Sequence, residues 1–115
     1  TVRSPWVLDP QPMKFATPRD FVAAKAWDAL PIAEIEGATV RLHWTNRPYV
    51  WHVNDGAEVF VVLDGAVTMH YRRDGREYRQ AMQAGDICHA APGDEHVAHP
   101  LGAARVLVIE KKGSV

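Results

Sequence analysis

From Ile32 onward the chain is cut at short, regular intervals by residues that turn a backbone. The signals are Glu36-Gly37, Asn46-Arg47-Pro48, Asp55-Gly56, Asp64-Gly65, Asp74-Gly75, Ala84-Gly85, Pro92-Gly93 and Pro100-Leu101-Gly102. Between them lie stretches rich in β-branched and aromatic residues: ATVRLHWT, YVWHVN, AEVFVVL, AVTMHY, REYRQAMQ, DICHAA, HVAH and ARVLVIEK. Ile32, Ala33 and Ile35 form a further strand-like run before Glu36-Gly37. Many short strands at even spacing, bounded by Gly, Pro and Asp, indicate an all-β sandwich or barrel.

Length and charge narrow the partners. A chain of 115 residues makes one compact domain and is too short for two. Its 47% apolar and 23% charged residues are ordinary for a soluble globular protein. Formal charge is -1, from 13 basic and 14 acidic residues, so no basic excess exists to neutralise phosphates and nucleic-acid binding is disfavoured. Cys88 is the only cysteine, which rules out an internal disulfide and fits a reducing compartment. No apolar run approaches the roughly 18 residues of a membrane span. Arg3 is followed by no apolar block, unlike a signal peptide. A cytoplasmic protein without membrane or nucleic-acid partners is the expectation.

The first part of the chain differs in character. Pro5, Pro10, Pro12 and Pro18 prevent regular helix or central strand, so residues 1–19 read as an extended arm. Trp6, Val7 and Leu8 give that arm an apolar side to lay on its own barrel or on a partner. Residues 20–28 read as one or two helical turns with Asp20 as N-cap, ended by Pro31. The expected organisation is an arm with a short helix and strand over residues 1–37, packed on a barrel formed by residues 38–115.

Asp64-Gly65 and Asp74-Gly75 carry the strongest short-range hairpin signal. A two-residue turn at Asp64-Gly65 pairs Val62 with Val67, Phe60 with Met69 and Glu58 with Tyr71. Glu58, Phe60, Val62, Val67, Met69 and Tyr71 then share one face, taken as interior. Val59, Val61, Leu63, Ala66, Thr68 and His70 share the other. Because that second face is nearly as apolar, it needs a cover, either the arm or a second subunit. A homodimer is expected on this ground.

The motifs resemble those of the cupin family, G-x5-H-x-H-x3/4-E-x6-G and G-x5-P-x-G-x2-H-x3-N. Here the first reads His52-x-Asn54-x3-Glu58-x6-Gly65, and the second Gly85-x6-Pro92-Gly93-x2-His96. The chain departs from the pattern at Asn54, where the family has a second histidine. It also lacks the opening glycine and the closing asparagine, and its proline spacing differs. The resemblance covers residues 38–112. It implies a single-domain cupin β-barrel of the double-stranded, jelly-roll type, often dimeric, with a metal inside held by histidines and a glutamate. Cupins include dioxygenases, isomerases, decarboxylases, polyketide cyclases, sugar-binding domains and metal-free storage proteins, so fold alone does not name a reaction.

His52 and Asn54 are two apart on a strand and share a face, and Glu58 follows a short turn. His96 must arrive from a distant strand. His52, Glu58 and His96 make two imidazoles and one carboxylate, which suits non-haem iron(II) and is also acceptable to zinc or manganese. The metal set is therefore His52, Glu58 and His96, with Asn54 as a further candidate, for a divalent iron, manganese, nickel or zinc. Glu58 is the candidate catalytic group, as a ligand or as a general base. Phe60, Met69 and Tyr71 are the expected pocket lining, with Trp44 and Trp51 nearby, around a small-molecule ligand or substrate.

The alternative is a pocket that binds an organic ligand without metal, with Asn54 bonding that ligand or orienting Glu58. His99, three residues after His96, faces the other way, and His70 falls on the outer face. His43 shares a strand face with Arg41 and Thr45, opposite Val40, Leu42 and Trp44; it reads as a structural histidine, with the choice of which face lines the pocket left open. One of Cys88 and His89 faces inward, where either supplies a further candidate ligand. Arg72, Arg73, Arg76 and Arg79 crowd a solvated hairpin tip around Asp74-Gly75. No phosphate-binding glycine loop or Gly-x-Ser-x-Gly elbow is present. Ser4 and Ser114 are the only serines, which argues against a serine nucleophile. The expected function is a metal-dependent cupin acting on a small organic molecule by dioxygenase-, isomerase- or cyclase-like chemistry, or else a metal-free binding or structural module.

Overall fold

Residues 13–113 are described by the computed structural model, and Pro5, Trp6, Val7, Leu8, Pro10 and Pro12 of the arm lie outside the described residues. Among the described residues the alternating segments form nine strands: β1 (Ala29–Ile35), β2 (Ala38–Thr45), β3 (His52–Val53), β4 (Glu58–Asp64), β5 (Ala66–Arg73), β6 (Arg76–Gln83), β7 (Ile87–Ala90), β8 (Glu95–Pro100) and β9 (Ala104–Lys111). They build two sheets, ordered β1-β2-β9-β4-β7 and β3-β8-β5-β6. Every neighbouring pair is antiparallel. This is the all-β, double-sheet architecture expected.

Period-two alternation decides what lies between the sheets. Phe60 and Val62 of β4, Val106 of β9, Val67 and Met69 of β5 and Met82 of β6 are buried together in one apolar cluster drawn from both sheets. Val62, Val67 and Val106 are fully buried. Each such side chain contributes about 1.5–3 kcal/mol relative to exposure, so this shared interior holds the sheets together.

The expected hairpin at Asp64-Gly65 does not form. β4 pairs with β7 and β9, whereas β5 pairs with β6 and β8, so the chain passes from one sheet to the other at Gly65. Val62 is therefore not paired with Val67, nor Phe60 with Met69. The face assignment nevertheless survives, because Glu58, Phe60, Val62, Val67 and Met69 are all buried while Val59, Val61, Thr68 and His70 are less so. Gly65 explains the corner. Its φ is +82°, and a Cβ there would lie 2.6 Å from the Ala103 carbonyl oxygen. The turn signal is real, but it bends β5 away from β4 instead of folding it back alongside.

Asp74-Gly75 behaves as expected. Arg73 pairs with Arg76 across it, and both turn residues have positive φ, 53° and 74°, the type I′ geometry whose twist suits a hairpin.

A second correction concerns residues 20–28, which form no α-helix; a 3₁₀ turn at Pro18–Asp20, preceded by Thr17 rather than Asp20, and a turn at Ala26-Trp27 closed by the Asp28 N–H donating to the Lys25 carbonyl take its place. A helix of one or two turns is marginal by itself. Here tertiary bonds outweigh it: the Trp27 N–H donates to the Trp44 carbonyl at 2.8 Å, and the Trp44 N–H donates to the Asp28 carbonyl at 3.2 Å. Trp27 takes φ 70° and packs its indole against the core. Further back, the 3₁₀ turn lies against β4 and β9, and Arg105 Nε donates to the Phe21 carbonyl at 2.9 Å.

Gly65→Ala is expected to destabilise the fold by about 2 kcal/mol, combining a left-handed backbone with a backbone clash. Gly75→Ala, where φ is also positive but nothing lies within 4 Å, should cost less. Urea denaturation of both variants checks this. Equal losses would contradict the close approach at Gly65.

Candidate metal centre

Three strands deliver the side chains. β3 carries His52, β4 begins at Glu58, and β8 carries His96. His52 and His96 are direct partners in the β3–β8 ladder, which puts their rings 4.4 Å apart, centroid to centroid. Glu58 comes from the other sheet, so the site is closed only when both sheets pack. One ligand atom from each of His52, Glu58 and His96 lies within 4.8 Å of the others. Glu58 and His96 are buried at 6% and 5% exposure, and His52 is partly exposed.

Backbone carbonyls set the imidazoles. His52 Nδ1 donates to the Val50 carbonyl at 2.9 Å, and His96 Nδ1 donates to the Asp94 carbonyl at 3.3 Å. With each Nδ1 engaged, Nε2 is the atom left to face the centre, the usual way a metal-binding histidine is oriented. His96 Nε2 sits 3.2 Å from Glu58 Oε1. Asn54, 1% exposed, donates from Nδ2 to the same oxygen. Asn54 Oδ1 is the one buried side-chain polar atom without a partner among the described residues. A cation or an O–H donor would satisfy it. Two imidazole nitrogens and a carboxylate brought this close fit a divalent metal.

The electrostatics follow from these contacts. Burial pulls the Glu58 carboxyl upward, but hydrogen bonds from His96 and Asn54 and the nearby His96 and His52 charges outweigh it, leaving its pKa lowered. Burial pulls His96 downward, but the Glu58 hydrogen bond and charge, with Asp94, outweigh it, leaving its pKa raised. Without metal the two therefore form a buried ion pair.

A cavity of about 340 Å³ opens onto His52, Glu58 and His96. Phe60 and Met69 line it, as expected. Tyr71 instead lines a neighbouring cavity of about 550 Å³, to which Met82 of β6 and Cys88 of β7 also contribute and which shares Met69 and His96. Burial pushes the Cys88 thiol up, with Glu58 and Asp94 adding to it, so Cys88 is held protonated. Trp51 is not at the pocket, because its ring lies under the Arg72 guanidinium at 3.7 Å. Trp44 alternates with His43 and likewise lines neither cavity.

His99 stacks on His70 with centroids 4.0 Å apart, and His70 Nδ1 lies 3.3 Å from Glu77, away from the centre. His43, left as a structural histidine by sequence, does line the 340 Å³ cavity. So do Trp27, Arg41, Tyr49 and Glu110, which sequence reasoning missed. Strand alternation already placed Arg41 with His43 on one face of β2. The missing signal was which face points inward, and that depends on the β2–β9 register. Trp27 and Tyr49 sit in irregular segments with no periodicity to read. They form edge contacts that lead to the centre, Trp27 to Tyr49 at 5.5 Å and Tyr49 to His52 at 5.3 Å.

The ion pair gives a signed pH expectation for protein stripped of metal. Glu58, whose pKa is lowered on folding, stabilises above its ordinary value of 4.5 and loses that as pH falls through its folded value. His96, whose pKa is raised, stabilises fully below its ordinary value of 6.5 and loses that as pH rises through its folded value. The pair therefore contributes most between pH 4.5 and 6.5. His96→Gln should lower Tm more at pH 6 than at pH 9, read by thermal melts in chelator. A Tm difference that does not change with pH would contradict the pair.

No family model and no curated protein matches the sequence. Solved structures do match. The chain is 25% identical to a cupin-2 domain containing protein from Shewanella frigidimarina, covering 78% of this chain and 85% of that one, with TM-score 0.70. It is 12% identical to a cupin superfamily protein from Desulfitobacterium hafniense, covering 89% and 93%, with TM-score 0.72. It is 20% identical to hydroquinone 1,2-dioxygenase from Sphingomonas sp. TTNP3, a structure with 4-hydroxybenzoate bound, covering 77% of this chain but 28% of that one, with TM-score 0.70. The strand order, the two facing sheets and these likenesses agree: the chain has the cupin superfamily fold.

Proposed function

We propose that the protein is a metal-dependent cupin acting on a small organic molecule, with a divalent metal held by His52, Glu58 and His96. The observation that carries this is the convergence of those three ligand atoms within 4.8 Å, with both imidazoles anchored through Nδ1. Two histidines and one carboxylate are the donor set of non-haem iron(II) oxygenases, which favours iron and oxygenase-type chemistry over an isomerase or cyclase reaction. When bound, the metal supplies a Lewis-acid centre with positions open to substrate.

The chain's own groups have definite tasks in this reading. Val50 and Asp94 carbonyls hold the rings so that Nε2 faces the centre. Asn54 orients the Glu58 carboxylate. Phe60 and Met69 supply an apolar wall that limits water around the reacting molecule.

One observation favours a second reading, a metal-free binding module. Asn54 stands where the resemblance places a histidine, and Glu58 already receives hydrogen bonds from Asn54 and His96. A carboxylate satisfied in this way does not need a cation beside it.

Elemental analysis of protein purified without a histidine tag or chelator separates the two. The metal reading expects near-stoichiometric metal that disappears in the His52→Ala/His96→Ala double variant. No metal in either protein, even after reconstitution, would defeat it. Asn54→His is expected to tighten metal binding, measured by chelator competition. Impaired ligand binding with no gain in metal affinity would instead assign Asn54 to the ligand.

A further inference from the structure

The cavity beside the proposed metal centre has a second polar wall, remote from the three ligands. Arg41 and His43 occupy alternate positions of β2 and line it. The register across the five-stranded sheet fixes where they stand. Arg41 pairs with Val108, which pairs with Phe60, while Glu110 pairs with Glu58. Arg41 is thus two strands across and two residues along from Glu58. At ~4.8 Å per strand and ~3.4 Å per residue, that is roughly 12 Å between Cα atoms. Inward-pointing side chains shorten this span to about the length of one substituted ring.

The chemistry of this wall is distinct. Among the described residues Arg72, Arg73, Arg79 and Arg105 pair with carboxylates while Arg19, Arg41, Arg47 and Arg76 make no ion pair, and of these four Arg41 is the one that lines this cavity. Glu110 lines the same cavity and feels the Arg41 charge, but burial and then Glu58 push its carboxyl up toward the neutral form and the two make no ion pair, so the guanidinium is open to a bidentate ligand carboxylate. His43 Nδ1 donates to the Trp27 carbonyl at 2.7 Å, which leaves Nε2 as an acceptor. Burial lowers the His43 pKa and Arg41 adds to this, outweighing the Trp27 hydrogen bond and the Glu58 and Asp28 charges, which favours the unprotonated nitrogen. Between the two ends the lining is aromatic and apolar, with Trp27, Tyr49, Phe60 and Met69.

We infer that the cavity selects a small, single-ring or similarly sized acid, its carboxylate held by Arg41, a hydroxyl donated to His43 Nε2 or directed to the centre at His52, Glu58 and His96. This names the substrate class of the proposed site and rests on that reading only for the role of the hydroxyl end. The Arg41–carboxylate contact stands whether or not metal is bound. Arg41 and His43 are specificity-determining residues in this assignment, not ligands.

The test uses 4-hydroxybenzoate and its neutral isostere 4-hydroxybenzamide as probes, titrated calorimetrically into metal-loaded and chelator-treated protein, with metal content measured in the same samples. Wild type is expected to prefer the acid by about tenfold, the worth of one charge-assisted contact. Arg41→Met should abolish the preference without changing metal content. Arg41→Lys should keep part of it, because it retains the charge. Arg41 is solvent-exposed, so these variants are expected to fold, and far-UV circular dichroism verifies it. A preference that survives Arg41→Met, equal affinity for both probes, or no binding of either would overturn the inference. An Arg41-dependent preference in protein that takes up no metal would sustain it while defeating the metalloenzyme reading.

Discussion

The passage of the chain from one sheet to the other at Asp64-Gly65 is the constraint on which the rest depends. β4 and β5 are adjacent in sequence but carry no mutual hydrogen bonds, and Gly65 packs against the backbone of Ala103 at the corner between them. Because alternation continues through the corner, Phe60 and Val62 on one side and Val67 and Met69 on the other face the same interior. A flat hairpin would have placed these residues on one sheet face with nothing opposite. The crossing gives that face its cover from within the chain and creates the enclosed space that a functional site needs.

Within that space Glu58 is the most demanding residue. A carboxylate 6% exposed beside Phe60 loses most of its hydration and has to be compensated by donors or charges. Asn54 and His96 supply them, and they arrive by different routes. Asn54 is local, four residues back across a short turn. His96 is brought by β8 of the facing sheet. Sheet packing and site assembly are therefore one event, and loosening either sheet leaves a buried charge unpaired. The same compensation explains why the polar groups form two sets. Glu58 is held down by its donors, while burial, followed by the Glu58 charge, pushes the Glu110 carboxyl up.

How much could be read in advance differs by residue. The strand runs, the inward row from Glu58 to Tyr71 and the Asp74-Gly75 hairpin follow from alternation and turn chemistry, which are local. So does the sharing of a face by His52 and Asn54. The pairing of β4 with β9 instead of β5 was not legible, because an Asp-Gly turn bends the chain equally well into a hairpin or into a corner. The helix expected over residues 20–28 failed for a related reason. Its weak local preference lost to hydrogen bonds between Trp27, Asp28 and Trp44, which exist only once β2 is in place. Arg41, Glu110, Trp27 and Tyr49 entered the cavity lining through contacts far apart in sequence.

By itself, then, the sequence determined an all-β chain, the identity of its inward row and a set of three potential metal ligands with the right chemistry. These depend on residue type and on spacing within single strands, where the period of two leaves no freedom. Tertiary structure alone decided that His52 stands opposite His96, that Glu58 reaches both from the other sheet, and that Arg41 and His43 share their cavity. Those are relations between strands, and strand order is set by the burial of the whole interior at once, which no single segment encodes.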